Sequence, residues 1–182
     1  MSLKKTVALV GMMGAGKTSI GTRLAARLDV PFRDADHEIE AAAGLTVPEI
    51  FEKFGEPYFR DGERRVIARL LSEPPHVLAT GGGAYIDETT RAAMRHSAFT
   101  IWLNAPIAVL LGRVKKRETR PLLKDGDMRA TLERLLEARG PVYATADMML
   151  ESADEPHGAT VEKIIAALAA AGLWSGETSE EP

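Results

Sequence analysis

Four residue positions in one short stretch could do chemistry together: Gly11, Gly16, Lys17 and Thr18, within VALVGMMGAGKT at residues 7–18. Their spacing is G-x-x-x-x-G-K-[ST], the pattern of a phosphate-binding loop. Glycines at 11, 14 and 16 let backbone N–H groups curl around phosphate oxygens, where side chains would block the approach. The loop feeds a helix N-terminus, whose unpaired N–H groups and partial positive charge favour an anion. Lys17 can reach the outer phosphates, and the Thr18 hydroxyl can sit on Mg²⁺. A glycine-rich turn without a ligand is the plain alternative. At ordinary residue frequencies, however, the four positions recur by chance in fewer than about one chain in a hundred. Here a strand-like run precedes them and a helical run follows, so the stretch reads as a nucleoside triphosphate site.

Other residue types could complete such a site. Asp34 and Asp36 stand two apart, pointing the same way in extended chain and diverging in a turn. Beside a triphosphate, one carboxylate can hold a Mg²⁺ water. The other can accept a proton from, or orient, the attacking hydroxyl. An aspartate at a strand end can also simply cap the next helix. Gly81, Gly82 and Gly83 follow an apolar run and read either as a flexible turn or as backbone with no room for a Cβ. Arg60, Arg117, Arg120 and Arg139 are each ordinary surface charges when taken alone. Arg120 precedes Pro-Leu-Leu and Arg139 precedes Gly-Pro, which puts both in expected breaks rather than on smooth helical faces. Guanidinium forks suit a carboxylate or a transferring phosphoryl group. The four histidines show no metal-ligand spacing, and Met12 and Met13 serve as loop fillers.

The elements that must position these groups follow from periodicity. Residues 3–10 predict a strand, buried on both faces after Thr6 as parallel strands are. Ile20, Leu24 and Leu28 recur every four residues and predict an amphipathic helix over 17–28. Further strands are expected at 30–33, 76–80, 99–103 and 148–150, and helices at 37–43, 47–54, 55–71, 87–95 and 128–139. Asn104 is expected to cap a helix opening at Ala105-Pro106. Val161, Ile164, Ile165 and Leu168 mark a closing helix. Five strands alternating with helices imply an α/β fold, a mostly parallel sheet covered on both faces, with ligands at the carboxyl ends of the strands. Residues 115–127 (KKRETRPLLKDGD), broken by Pro121 and Gly126, read as a mobile functional loop. Residues 1–172 are expected to form one domain, and 173–182 an acidic, disordered tail.

Composition sets the outer limits. The 182 residues suffice for one domain with a proper core, and 45% hydrophobic with 27% charged residues is a soluble, globular composition. A net charge of −3 gives no global basic footprint for nucleic acid. With no cysteine there is no disulfide, thiolate metal site or cysteine nucleophile. No apolar run approaches 18 residues and the N-terminus lacks a signal-peptide core, so a cytoplasmic protein without a membrane partner is expected. Nothing in the sequence demands an oligomer, and a monomer is expected.

Over residues 7–168 the sequence resembles the shikimate kinases. Five motifs lie in family order: GMMGAGKT, the Asp34/Asp36 pair in DADHEIE, GEPYFRDGE around Arg60, TGGG at 80–83 and RPLL at 120–123. The phosphate loop alone fits many unrelated proteins, but the ordered set is far more specific. The resemblance implies a three-layer α/β/α P-loop kinase fold, like that of nucleoside monophosphate kinases, around a five-stranded parallel sheet. It places a substrate-binding helical part at about 34–62 and a closing lid at about 115–127. The implied reaction is ATP-dependent phosphorylation of shikimate to shikimate 3-phosphate, in aromatic amino acid biosynthesis, with ATP as co-substrate and Mg²⁺ as cofactor.

The same resemblance implies residue roles. Gly14, Ala15, Gly16, Lys17, Thr18 and Ser19 would hold ATP, Thr18 would sit on the metal, and Asp34 would hold it through water. Lys17, Asp36 and Arg120 would be the catalytic groups, Asp36 contacting the shikimate hydroxyls as base or orienting group and Arg120 reaching the transferring phosphate from the lid. Arg60 and Arg139 would grip the shikimate carboxylate, bordered by Gly81, Gly82 and Gly83, with Glu63 steadying the arginine. Arg113 and Pro156 would lie near adenine. Val47, Phe51, Phe59 and Leu122 would pack on the ring, and Arg117 falls in the lid. A gluconate kinase or nucleoside monophosphate kinase of this architecture would also suit the arginines and aspartates. A nucleotide-binding module with dead chemistry would be expected to lack Lys17, Thr18, Asp34 or Asp36, and all four are present.

Overall fold

The computed structural model describes residues 2–115, 127–152 and 157–176. Arg117, Arg120, Leu122, most of the expected lid, Pro156 and residues 177–182 of the expected tail lie outside the described residues.

The apolar run at 3–10 divides at Lys4 and Lys5 into β1 (Ser2–Leu3) and β2 (Thr6–Val10). β2 is buried at every position, as a central parallel strand covered on both faces is. After the phosphate loop, α1 (Lys17–Leu28) buries Ile20, Leu24 and Leu28 and turns Arg23 and Arg27 to solvent. β3 (Phe32–Asp34) ends on the aspartate whose side chain caps α2 (Ala35–Ala43). α3 (Val47–Leu71) opens on a capping box between Thr46 and Glu49. It breaks at Gly55, where φ 80° and ψ 172° leave helical space, so the expected pair of helices is present, joined at a kink.

β4 (Val77–Ala79) leads through the three glycines and a 3₁₀ turn at Ala84–Ile86 to α4 (Glu88–Ser97). β5 (Ala98–Asn104) follows, with Asn104 as its last residue rather than a helix cap. The first carbonyl of α5 (Ile107–Lys115) is instead that of Pro106, which accepts from the Leu110 N–H at 3.0 Å. α6 (Met128–Tyr143) does not stop at the expected 139 but continues through Gly140 and Pro141. Proline there removes one N–H, and the carbonyl it would have met belongs to Glu137, an exposed position that water can serve. Arg139 therefore sits within a helix and not in a break.

β6 (Met148–Glu151) and α7 (His157–Ala170) precede β7 (Trp174–Ser175). β7 pairs antiparallel with β1, Leu3 opposite Trp174, so the chain is still in the fold two residues into the stretch expected to be a tail.

The main sheet is five-stranded and parallel, in the order β3-β4-β2-β5-β6, as expected. Right-handed crossovers place the helices. From β2 the chain steps one way to β3 through α1, and from β4 it steps the other way to β5 through α4. These helices must therefore lie on opposite faces. α1 packs on α7, and α3 packs on α4, completing the two outer layers. β2 lies where the direction of winding reverses, so the phosphate loop opens into the crevice at the strands' carboxyl ends. Among the described residues no helix is long and apolar enough to cross a membrane.

The loop leaves β2 under a steric constraint. Gly11 has φ 132°, and a Cβ on it would lie 2.6 Å from the Leu103 carbonyl oxygen on β5. Gly11→Ala is expected to cost about 2–4 kcal/mol of stability, read as a lowered urea midpoint at unchanged slope. An unaltered midpoint would show that the loop can move off β5.

Candidate active site

The phosphate loop is held from the protein side by its carbonyls. Lys17, buried at the start of α1, donates from Nζ to Gly11 O and Met12 O, both at 2.8 Å. Arg113 of α5 donates to Gly14 O at 3.2 Å, and Ser152, just past β6, to Ala15 O at 3.1 Å. Four loop carbonyls are thus turned onto side chains, while the first turn of α1 offers N–H groups with no acceptor in their own helix. That arrangement suits an anion.

Thr18, one residue past the lysine, donates its hydroxyl to Asp34 Oδ2 at 2.9 Å. The other oxygen of Asp34 accepts from the Asp36 N–H at 3.1 Å. The capping reading of this aspartate holds, and the same carboxylate also reaches the phosphate-loop helix. Because α2 begins here, Asp36 is on the first helical turn and no longer parallel to Asp34. Its carboxylate faces Gly81: a Cβ there would be 3.0 Å from Asp36 Oδ1 and equally close to Glu63 Oε1.

None of the three glycines needs positive φ; their requirement is space. A Cβ on Gly83 would fall 2.5 Å from the Arg60 guanidinium, and one on Gly82 would lie 3.5 Å from that of Arg139. The strip is bare because the protein's own charged side chains lie across it.

Arg60 is gripped by Glu63 at 2.7 Å and Glu56 at 3.1 Å, with its guanidinium 5.2 Å from the Phe59 ring centre. Glu63 is buried to 2% exposure, and its Oε1 has no hydrogen-bond partner among the described residues. Burial is the largest influence on this carboxyl and raises its pKa. Arg60 opposes that shift, while Asp36 and Asp87 add to it.

Two clefts adjoin along this rim. One of about 350 Å³ is lined by Gly14, Gly16, Lys17, Ser19 and Arg113. The other, about 580 Å³, is lined by Val47, Phe51, Phe59, Arg60, Glu63, Gly83 and Arg139. Thr18, Asp34, Asp36, Gly81 and Gly82 line both. A phosphate donor in the first cleft and an acceptor in the second would meet at the two aspartates.

Some of the lining is invisible to residue spacing. His157, the first residue of α7, lines the first cleft with Arg113. Burial first, then the charges of Arg23 and Arg113, hold its pKa below the usual value. Ser152 and Tyr143, which donates its phenol proton to Gly82 O, also gave no signal as site residues. Arg113 meets the phosphate loop directly.

Comparison with known proteins agrees over nearly the whole chain. The shikimate kinase family model matches residues 13–169. A shikimate kinase of Caulobacter vibrioides is 55% identical over 164 residues, 90% of this chain and 82% of its own. One of Bradyrhizobium diazoefficiens is 54% identical over 178 residues, 98% and 85% respectively. The solved structure of shikimate kinase from Acinetobacter baumannii in complex with shikimate superposes with a TM-score of 0.90 at 37% identity, covering 93% of this chain and 96% of that one.

The raised pKa of Glu63 has a consequence for stability. A carboxyl whose pKa is higher folded than unfolded binds more protons in the native state, so it favours folding below its unfolded pKa of 4.5 and loses that advantage as pH rises through the folded value. The stability of wild type relative to Glu63→Gln is therefore expected to increase as pH falls from 7 towards 5, measured by urea unfolding at each pH. A pH-independent difference would mean that Glu63 titrates normally.

Proposed function

The chain belongs to the shikimate kinase family, and from that we propose how its residues divide the work of transferring the γ-phosphoryl group of ATP to shikimate. The protein is an enzyme that phosphorylates shikimate, yielding shikimate 3-phosphate and ADP. The observation that carries the residue assignment is the meeting of the two clefts at Asp34 and Asp36, with Arg60 and Arg139 facing the far side of the glycine strip.

In this reading the first cleft takes ATP. The loop from Gly14 to Ser19, including Ala15, surrounds the phosphates, Lys17 supplies charge at the outer ones, and Arg113 with Pro156 borders the adenine. Thr18 and Asp34 place a hydroxyl and a carboxylate oxygen side by side at the junction. Such hard oxygen donors fit Mg²⁺, which takes few ligands from protein and keeps several waters. Thr18 would hold the ion directly and Asp34 through water. Bound there, Mg²⁺ would offset charge on the phosphate oxygens.

The second cleft takes shikimate. Arg60 and Arg139 present guanidinium forks to its carboxylate, while Val47, Phe51 and Phe59, with Leu122, cover the apolar part of the ring. Gly81, Gly82 and Gly83 let the substrate lie close to backbone. Asp36 then orients the acceptor hydroxyl or takes its proton as the phosphoryl group arrives. The protein's contribution is chiefly position and fixed charge. Arg120, with Arg117 in the same lid at about 115–127, would close over the site, stabilise the transferring group and exclude water as a competing acceptor. The helical part at 34–62 and this lid belong to one kinase domain. One chain lines both clefts, which supports a monomer as the working unit.

Gluconate and nucleoside monophosphate kinases share this kind of site, and the family match decides between them and the present reading. The presence of Lys17, Thr18, Asp34 and Asp36 in one rim argues against a dead nucleotide-binding module.

Two measurements test the assignment. ADP release in the presence of Mg²⁺ is expected with shikimate and not with gluconate or AMP as acceptor. Equal turnover on any of these acceptors would overturn the substrate reading. Arg60→Ala is expected to raise KM for shikimate about ten- to hundredfold, as loss of a charge-assisted contact does, with KM for ATP little changed. An unchanged shikimate KM would remove Arg60 from the carboxylate site.

A further inference from the structure

Tyr143 closes α6 one helical turn beyond Arg139 and is completely buried. Its ring packs against Trp102 of β5 at 5.8 Å between centres. Trp102 in turn lies beside Gly11, its Cδ1 3.1 Å from where a Cβ would stand. The ring is therefore fixed between the phosphate loop's strand side and the last turn of α6. Its hydroxyl donates to Gly82 O, in the middle of the glycine strip. Arg139 stands one turn earlier on the same side of α6, and the charge of its guanidinium opposes the rise that burial imposes on the tyrosine pKa. Gly82 also approaches Arg139 directly, by the 3.5 Å spacing noted for its missing Cβ. Tyr143 thus bonds the backbone that borders the second cleft and stands beside an arginine that lines it.

We propose that Tyr143 is a positioning residue of the acceptor cleft, its phenol oxygen holding the Arg139 fork against the Gly82 backbone so that the substrate carboxylate meets a preset partner. This rests on the reading of the second cleft as the shikimate site. An arginine on a helix has many rotamers, and each one frozen before binding is ordering that the substrate no longer has to supply. A neutral, buried hydroxyl suits the task. It donates to a carbonyl and accepts from a guanidinium at the same time, and burial keeps the proton on it. Phenylalanine would keep the packing on Trp102 and lose both contacts.

The test compares two acceptors in one variant. For Tyr143→Phe, KM for shikimate is expected to rise about five- to thirtyfold, the range for a hydrogen bond to a charged group, with KM for ATP within about twofold of wild type. With shikimate methyl ester, which lacks the anionic carboxylate, wild type and variant are expected to give the same KM. The ratio of the two acceptor constants does not depend on how much of the sample is folded. As a control, 4-aminophenylalanine at position 143 keeps a donor for Gly82 O and nearly the same volume but is a poor acceptor for a guanidinium, so it is expected to stay close to Tyr143→Phe. An equal rise for acid and ester would show that Tyr143 only packs, and no rise for either would show that Arg139 orients without it. Recovery of wild-type KM by the aminophenylalanine variant would show that the donor to Gly82 suffices and would overturn the role assigned to the Arg139 contact. Absence of shikimate turnover in the wild type would instead overturn the reading of the cleft itself.

Discussion

The Asp34 carboxylate is shared between two elements, and the geometry of the rim depends on that sharing. Oδ1 accepts from the Asp36 N–H at 3.1 Å and starts α2; Oδ2 accepts from the Thr18 hydroxyl at 2.9 Å and joins β3 to the first turn of α1. β3 is in register with β4, Asp34 opposite Ala79, so the same residue also fixes the rim relative to the glycines that follow. A capping side chain contributes about 1 kcal/mol. That is modest as stability, but its geometric effect is larger: it starts α2 at once and brings Asp36 to face Gly81, on the wall that the two clefts share. Two carboxylates two residues apart thereby acquire different surroundings and can serve different substrates.

Charge at this rim is arranged by removing atoms as much as by adding them. Arg60, Arg139, Asp36 and Glu63 all lie across three residues without a side chain. The Arg60–Glu63 pair is a poor candidate for net stabilisation, since burying ions costs roughly what their attraction returns. Its value is in holding the guanidinium where a flexible side chain would otherwise wander. Glu63, with one oxygen on Arg60 and the other unpartnered among the described residues, stands next to Asp36 across Gly81. The phosphate loop follows a parallel logic. Lys17, Arg113 and Ser152 engage its carbonyls, so the protein fixes the loop through acceptors and leaves the helix N-terminus to face an anion.

Local sequence signals fared best where a pattern answers to one physical cause. Five apolar runs became five parallel strands, and the glycine–lysine–threonine spacing marked the loop at the point where the sheet's winding reverses. They fared worse at boundaries that distant parts of the chain decide. Gly140-Pro141 looks like a stop, yet α6 passes through it because the proline falls opposite the carbonyl of an exposed residue and Tyr143 is drawn into the core. Trp174, in an acidic and aperiodic stretch, is held by a strand from the opposite end of the chain. The lysines at 4 and 5 gave no sign that one run would supply two sheets.

By itself, then, the sequence determined the fold class, the phosphate site and the cast of charged residues. These rest on periodicity and short spacings, which act within a few residues of one another. The tertiary structure decided which of those residues meet: that Asp34 joins Thr18 while Asp36 faces Gly81, that the glycines make room for arginines, and that Ser152, His157 and Tyr143 belong to the rim at all. Each of these is a contact between strand ends and helix ends brought together by crossovers of the sheet. A side chain's partner across such a distance is set by topology and packing, and leaves no period in the chain to read.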